Sequence, residues 1–571
     1  MALGRRFSER PLRLPRFRAY VPAPDAPAIY WFNSERDDIV REVVERVGGV
    51  HGASPRAVEL MLNDAALHEV RRLTSQRDEE THESLGFWKG VSRSIARMSD
   101  TEKQRTLGTV AEHMARDVAG NFDPRVFEMA TAAGPKMLSA IMQPSRVPKD
   151  LASGSSAIDE LLTVEGDVAH LRRLQEHGTL VYVPTHSSNL DSMVLAQALE
   201  RKGLSPVVYG AGKNLFTNPI IAFGMHNLGA YRVDRRIRAR LYKDVLKAYA
   251  SVMVERGYHS LFFPGGTRSR SGLIEQRLKL GLLGSAVEAF SRNQVQGLER
   301  RVYIVPTTIN YALVLEAETL VEDWLKEEGQ ARYIITDDEF SRIERWYDFF
   351  RRMRDQRAAC VIRFGAPVDP YGNPVDADGR SLTPSGRVID PGSYVLRGGE
   401  PTLDVARDQA YTRELGDVLS ARFLSDTVLM TTNVVAHALF RHLVRETPSV
   451  DLFSRLRLRG DITIERGALR REVGQLRDAL VELERRGQVR VSNLVRTADP
   501  ETLVERALSV WLGYHKRIAA REVGSYVSAE DPTLLIYYQN RLVPFATQVA
   551  KDLDAPTQRA AHEIARIGAH R

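Results

Sequence analysis

Cysteine is almost absent from the sequence: Cys360 is the only one in 571 residues. A single thiol cannot close an intramolecular disulfide, nor can it supply a cysteine-rich zinc site. The expected setting is therefore a reducing compartment. Long apolar runs are missing as well. Among the longest uncharged stretches are 214–231, broken by Asn218-Pro219, Gly224 and His226-Asn227, and the shorter 427–440. A membrane-spanning helix needs about 20 predominantly apolar residues, so both read as core or interfacial segments. No apolar stretch of the secretory type stands at the N-terminus. Charge of one sign is not in strong excess either: 80 Lys+Arg against 73 Asp+Glu give +7, which by itself names no partner. The chain also has no G-x-S-x-G elbow, no P-loop pattern and no H-E-x-x-H, and it shows no internal repeat.

What is present is an ordinary globular composition, 43% hydrophobic and 27% charged, long enough for about three or four units at roughly 150 residues each. Residues 1–34 form an Arg/Pro-rich arm with arginines at 5, 6, 10, 13, 16 and 18. Residues 35–149 read as a helical domain without recognisable chemistry. Ser54-Pro55 and Asp123-Pro124 are helix starts, each a capping residue followed by proline at the first helical position. From 150 to 368 short apolar runs (Leu180–Val183, Pro206–Tyr209, Leu261–Phe263, Val302–Val305, Val361–Phe364) alternate with helical stretches (Asp191–Arg201, Ile237–Arg256, Gly281–Arg292). That alternation predicts an α/β unit with a largely parallel sheet. Residues 369–401, with five Pro, six Gly and four Asp in 33 positions, form a loop or hairpin connection. Residues 402–571 return to helix. There Val473, Leu476, Leu480 and Leu483 mark a helix packed on its own domain or in a short coiled coil.

The apolar runs end in polar or glycine-rich sequence: PTHSSNLD from 184, GAGKN from 210, PGGTRSRSG from 264 and PTT from 306. The carboxyl ends of strands in open α/β sheets form the ligand crevice, so these segments are expected to converge. His186 and Asp191 are five apart, about 140° around a continuous helix. They can meet only if His186 lies in the turn before a helix and Asp191 in its first turn, with Ser187, Ser188 and Asn189 as capping candidates. Paired, they make a general base; alone, the pattern equally fits a capped helix start. A serine hydrolase using Ser187 or Ser188 is a competing reading, and a metal site is a poorer one. In PGGTRSRSG the glycines allow close backbone approach, Thr267, Ser269 and Ser271 can donate hydrogen bonds, and Arg268 and Arg270 suit a phosphate. Lys213, Arg235 and Lys279 add cations nearby in sequence.

The ordered blocks HSSNLD, GKNLF, GAYRVDRR, FPGGTRSRSG and VPTTINY resemble the signature of glycerolipid acyltransferases with an HX4D motif. The nearest match is the glycerol-3-phosphate acyltransferase group with its dihydroxyacetone-phosphate-using relatives. The resemblance covers about 150–445. It implies an α/β acyltransferase core with a largely parallel sheet flanked by helices. It also implies transfer of a fatty acyl group to the 1-hydroxyl of glycerol 3-phosphate, giving lysophosphatidate. His186 would be the general base and Asp191 its orienting carboxylate. Gly266, Arg268, Ser269 and Arg270 would hold the glycerol phosphate, with Thr267 in the same loop. Lys213, Arg235 and Lys279 would add phosphate contacts, and Pro306 would shape the acyl-donor side. The donor would be acyl-CoA or acyl-carrier protein, with no cofactor and no metal.

The chain departs from that pattern in two places. Gly265 stands where the third block usually carries Glu, and Asp234-Arg235 stands where a pair of arginines is usual. The latter is closer to lysophosphatidate acyltransferases, which keeps lysophosphatidate and dihydroxyacetone phosphate open as acceptors. The product must enter a bilayer, so peripheral attachment to an anionic membrane surface, on the cytoplasmic side of the cell membrane, is expected. The Arg-rich arm, 214–225 and 427–440 are the candidate contacts. A basic nucleic-acid-binding protein, using the arm and the arginines of 455–490, is a remote alternative; the interleaved acids favour a solvated helix face and no nucleic acid.

Overall fold

The computed structural model describes residues 20–52, 54–74, 79–142, 158–213, 219–328, 359–512 and 515–549. The N-terminal arm to residue 19 and residues 214–218 of the 214–225 segment proposed for lipid contact therefore lie outside the described residues. Five helices come first: α1 (Phe32–His51), α2 (Pro55–Thr74), α3 (Glu79–Ser94), α4 (Asp100–Val118) and α5 (Pro124–Met142). Their starts follow from local chemistry. Ser54 Oγ accepts the Ala57 N–H, Ser99 and Glu102 make a reciprocal capping box, and Asp123 accepts the Arg125 N–H.

The central unit runs β1 (Leu162–Glu165), α6 (Val168–His177), β2 (Gly178–Pro184), α7 (Asp191–Arg201), β3 (Val208–Gly212), α8 (Pro219–Asn227), β4 (Ala230–Val233), α9 (Arg240–Glu255), β5 (Ser260–Leu261), α10 (Leu280–Val295), β6 (Arg301–Tyr311), α11 (Ala317–Glu328) and β7 (Cys360–Phe364). The seven strands form one sheet in the order β1-β7-β6-β2-β5-β3-β4. Every neighbouring pair is parallel except β6–β7. The expected α/β class with a largely parallel sheet, flanked by helical N- and C-terminal regions, is what the chain adopts. α7 begins and ends at the expected residues.

Two strands differ from the sequence reading. β3 contains Gly210 and Gly212 instead of ending before them; a side chain at Gly210 would run into the Tyr231 ring, 3.0 Å from its Cβ, so glycine here serves packing within the sheet. β6 continues through Pro306-Thr307-Thr308 to Tyr311. Pro306 lacks an N–H, yet its carbonyl accepts the Gly365 N–H at 2.7 Å, and the strand goes on to pair with β7. β1 and β4 have no counterpart among the expected strands.

Beyond the turn-rich 369–401 connection, which contains two small hairpins, lie α12 (Val405–Asp426), α13 (Thr431–Glu446), α14 (Arg466–Arg485), α15 (Pro500–Trp511) and α16 (Pro532–Gln539). Val473, Leu476, Leu480 and Leu483 are buried where α14 meets α13 and α15, a helix packed within its own region. α13 is buried on nearly every side, from Thr431 to Val444, and packs on α14, α15 and α16. The 427–440 stretch is thus a core helix, and its apolar residues are occupied by protein instead of facing lipid. Among the described residues no helix is long and apolar enough to cross a membrane.

Two hydrophobic cores organise the molecule. The larger joins the sheet to the C-terminal helices through Val183, Ile309, Leu439 and Ile536. The smaller joins α1, α2 and α4 to α9 and the β3–β4 edge through Val43, Val110, Tyr231 and Val252.

Candidate active site

β2 delivers Thr185 and His186 at the carboxyl side of the five parallel strands, and α7 starts at Asp191. His186 therefore lies in the turn before the helix and Asp191 in its first turn, the one arrangement in which residues five apart can meet. Nδ1 of His186 lies 2.7 Å from Asp191 Oδ2. With Nδ1–H donating to that carboxylate, Nε2 carries the basic lone pair, and it has no hydrogen-bond partner among the described residues. The imidazole is stacked on Phe263 at 4.1 Å between ring centres. Asp191 is 0% exposed yet fully satisfied: Oδ2 also accepts the Ser187 and Ser188 N–H groups at 2.7 and 3.0 Å, and Oδ1 accepts the Tyr311 hydroxyl at 2.8 Å. A buried carboxylate held by four donors is fixed in position beside the imidazole.

None of Ser187, Ser188 or Asn189 is the N-cap of α7. Leu190 takes that position without a side-chain bond, because the orphan amides before the helix are bound by Asp191 itself. The two serine hydroxyls are engaged elsewhere. Ser187 Oγ accepts from Arg541 at 2.8 Å, and Ser188 Oγ donates to Glu316 at 2.9 Å. Neither serine is hydrogen-bonded to His186, so the geometry does not support a serine nucleophile. Burial, with Asp191 nearby, pushes the Cys360 thiol well up, which removes it as a thiolate nucleophile.

The Pro264–Gly272 loop follows β5 and closes over His186. The Ser269 N–H donates to the His186 carbonyl at 2.7 Å, and Ser269 Oγ donates to Leu273 O, so this serine shapes the loop. Gly266, at φ +72°, lets the Lys279 side chain lie across the backbone, where a Cβ would sit 2.6 Å from Cδ and Nζ. The Lys279 ammonium is held below its usual range by burial, then by Arg235 and Arg270. Three cations from different segments thus share one locality, the electrostatic condition for binding a polyanion. Arg270 is also paired with Glu327 of α11. Thr267 is exposed at the loop tip.

The remaining expected residues are placed differently. Arg268 faces Glu316 at 3.4 Å, a buried carboxylate that also holds the Asn189 N–H. Lys213 is bound to Asp117 of α4 at 3.0 Å, beside Arg232. Pro306 is buried inside β6, opposite Val183 of β2; the residues of this stretch that reach the dyad turn are Tyr311 at the end of β6 and Glu316 in the turn after it. The arginines of 455–490 are largely committed: Arg455 is buried on Thr447 and Val450 carbonyls, Arg466 meets Glu501, Glu505 and Glu522, and Arg486 meets Glu482.

Sequence reasoning missed Tyr311, Glu316, Glu275 and Arg541. Tyr311 ends the VPTTINY block, which is its one local signal. Arg541 follows α16, and that helix packs against the PGGTRSRSG loop: Asn540 donates to Ser271 O at 2.7 Å, and a Cβ on Gly272 would collide with Tyr537 O at 2.0 Å. Ser187, Asn310, Tyr311, Asn433, Tyr537 and Arg541 enclose a cavity of about 20 Å³ behind the dyad, room for roughly one water.

The sequence that builds this site has counterparts among known proteins. Residues 166–310 match the acyltransferase family model. That span takes in His186, Asp191, the Pro264–Gly272 loop and Lys279. The chain is 32% identical over 155 residues to the glycerol-3-phosphate acyltransferase of Histophilus somni (strain 129Pt), covering 27% of this chain and 18% of that one. It is 33% identical over 159 residues to those of Aeromonas hydrophila subsp. hydrophila and Actinobacillus pleuropneumoniae serotype 5b (strain L20), covering 28% of this chain and 19% and 18% of theirs. The matched segment thus spans under a fifth of the length of these curated relatives.

Proposed function

We propose that this protein transfers a fatty acyl group from a thioester, acyl-CoA or acyl-carrier protein, to the 1-hydroxyl of glycerol 3-phosphate, producing lysophosphatidate. The observation that carries the reading is the His186–Asp191 pair: Nδ1 fixed by a buried carboxylate and Nε2 without a hydrogen-bond partner among the described residues, with the Pro264–Gly272 loop bonded to the His186 carbonyl. His186 Nε2 takes the hydroxyl proton as the acceptor oxygen bonds to the thioester carbonyl carbon. The tetrahedral intermediate collapses, the C–S bond breaks, and the imidazolium returns the proton to the departing thiolate. Asp191 stabilises the imidazolium in between. Lys279, Arg235 and Arg270 hold the phosphate, and Gly266 gives it access to the backbone.

An acyl product belongs in a bilayer, so the enzyme would act as a peripheral protein on the cytoplasmic side of an anionic membrane, with the arginines of the arm as its electrostatic contact. The test is an acceptor panel: glycerol 3-phosphate, dihydroxyacetone phosphate and lysophosphatidate, each with long-chain acyl-CoA and acyl-carrier protein, with and without anionic vesicles. Lysophosphatidate formed from glycerol 3-phosphate at the highest kcat/KM supports the reading. Consumption of lysophosphatidate with glycerol 3-phosphate ignored would overturn it.

A further inference from the structure

Gly265 and Glu275 compete for one place in the site. A Cβ built on Gly265 would lie 2.8 Å from Glu275 Oε2, 2.9 Å from Cδ and 3.1 Å from Oε1. A side chain at residue 265 would have to displace the carboxylate that reaches back from residue 275 into this volume. Gly265 is not among the glycines with a left-handed backbone, so the steric demand, and not φ, requires glycine at this position.

The carboxylate is tied to the reacting group. Glu275 Oε1 accepts the backbone N–H of His186 at 2.8 Å, and the Gly265 N–H also favours the carboxylate; Oε2 makes no full hydrogen bond among the described residues. Burial pushes this carboxyl up to about 7; the His186 N–H, Arg541 and the Gly265 N–H pull the other way, and Asp191 pushes it further up. A buried acid with an unsatisfied oxygen costs stability, and an apolar residue would pack the same volume at less cost. His186 is in consequence anchored on both sides of its Cα, N–H to Glu275 and C=O to the Ser269 N–H, with its ring fixed by Asp191 and Phe263.

We propose that Glu275 is a positioning residue of the catalytic loop: it supplies from residue 275 the carboxylate that the block-three pattern would supply from residue 265, and Gly265 is its obligatory partner. Glu275 acts through the His186 backbone, so its loss displaces the imidazole without removing it. A general base displaced by about 1 Å loses on the order of 100-fold in rate.

The test is a four-member cycle of wild type, Gly265→Glu, Glu275→Ala and the transplant Gly265→Glu/Glu275→Ala, read by kinetics and by thermal unfolding. The kinetic arm rests on the acyl-transfer reading above; the unfolding arm does not. Glu275→Ala should lower kcat about 10–100-fold with KM for glycerol 3-phosphate nearly unchanged. Gly265→Glu should lower Tm, because two carboxylates then crowd one site. The transplant should recover Tm relative to Gly265→Glu and about 10-fold or more of kcat relative to Glu275→Ala. A transplant no better than the worse single variant in both measurements overturns the proposal, as does a Glu275→Ala enzyme with wild-type kcat. A wild type that acylates no acceptor would refute the acyl-transfer reading, leaving the Tm cycle to decide the pairing.

A third readout separates this role from plain packing. A carboxyl raised in the fold contributes stability below its unfolded value of about 4.5 and loses that contribution as pH rises through about 7. Glu275→Gln cannot ionise, so its Tm should gain on wild type between pH 5 and pH 8.5. An unchanging difference across that range would contradict a titrating carboxylate beside His186, Asp191 and Arg541.

Discussion

Two clusters of cations sit at the carboxyl side of the same sheet, and they are built differently. After β3 and on β4, Lys213 and Arg232 converge on Asp117 of α4, at 3.0 and 3.4 Å. Against the cost of its burial, the two cations hold the Asp117 carboxyl below its usual range. Around the Pro264–Gly272 loop, burial and then Arg235 and Arg270 hold the Lys279 ammonium down, and the carboxylate seen at this cluster, Glu327, pairs with Arg270. In the first cluster the carboxylate titrates favourably; in the second a lysine titrates unfavourably. Basic residues following strands are the same signal in both, and the counter-charge distinguishes the fastening between regions from the cluster proposed to receive a substrate anion.

The comparison makes its largest claim by dividing binding from chemistry. Asp191→Asn keeps the shape beside His186 and removes the charge, so kcat should fall about 10³–10⁴-fold while glycerol 3-phosphate binding, followed by calorimetry, is retained through the cations. Loss of binding to the same degree would merge what the structure separates. Lys279→Met should then raise KM for glycerol 3-phosphate about 10–100-fold, the worth of one charged hydrogen bond, whereas Lys213→Met should change it less than about 3-fold. Equal effects at the two lysines, in steady-state kinetics, would erase the distinction. Tyr311→Phe removes one of four donors from Asp191 and should cost about 2–10-fold in kcat, with a normal KM.

The smallest effect belongs to the fastening. Asp117→Asn should lower unfolding free energy by at most about 1 kcal/mol, since its partners are partly exposed and solvent-screened. Because the folded carboxyl is depressed, this contribution is present above about pH 4 and is lost as pH falls through the depressed value. The difference between wild type and Asp117→Asn in denaturant unfolding should therefore vanish in strong acid.

Much of the fold was legible because it is local. The Ser54-Pro55 and Asp123-Pro124 starts, the bounds of α7, the alternation that gives a parallel sheet and the stripe on α14 all follow from neighbours in sequence. His186 and Asp191 were legible because only one backbone arrangement lets residues five apart meet in front of a helix. Strand ends were less so: glycines in β3 and a proline in β6 read as loop, yet Tyr231 packs on the former and Gly365 bonds to the latter. Glu275, Glu316 and Arg541 were illegible for another reason. Each works through a contact across 89 to 354 positions, and a lone acid or arginine at such a distance looks like any other solvated charge. The same limit made Lys213 resemble a ligand, since Asp117 lies 96 residues before it.

The most direct measurement is the rate of lysophosphatidate formation from labelled glycerol 3-phosphate and a long-chain thioester, compared between wild type and a folded His186→Ala variant. The expected result is product with wild type and a rate lower by about 10³–10⁴-fold with the variant, at unchanged thermal stability. Transfer by His186→Ala at the wild-type rate would contradict the assignment of His186 as the base.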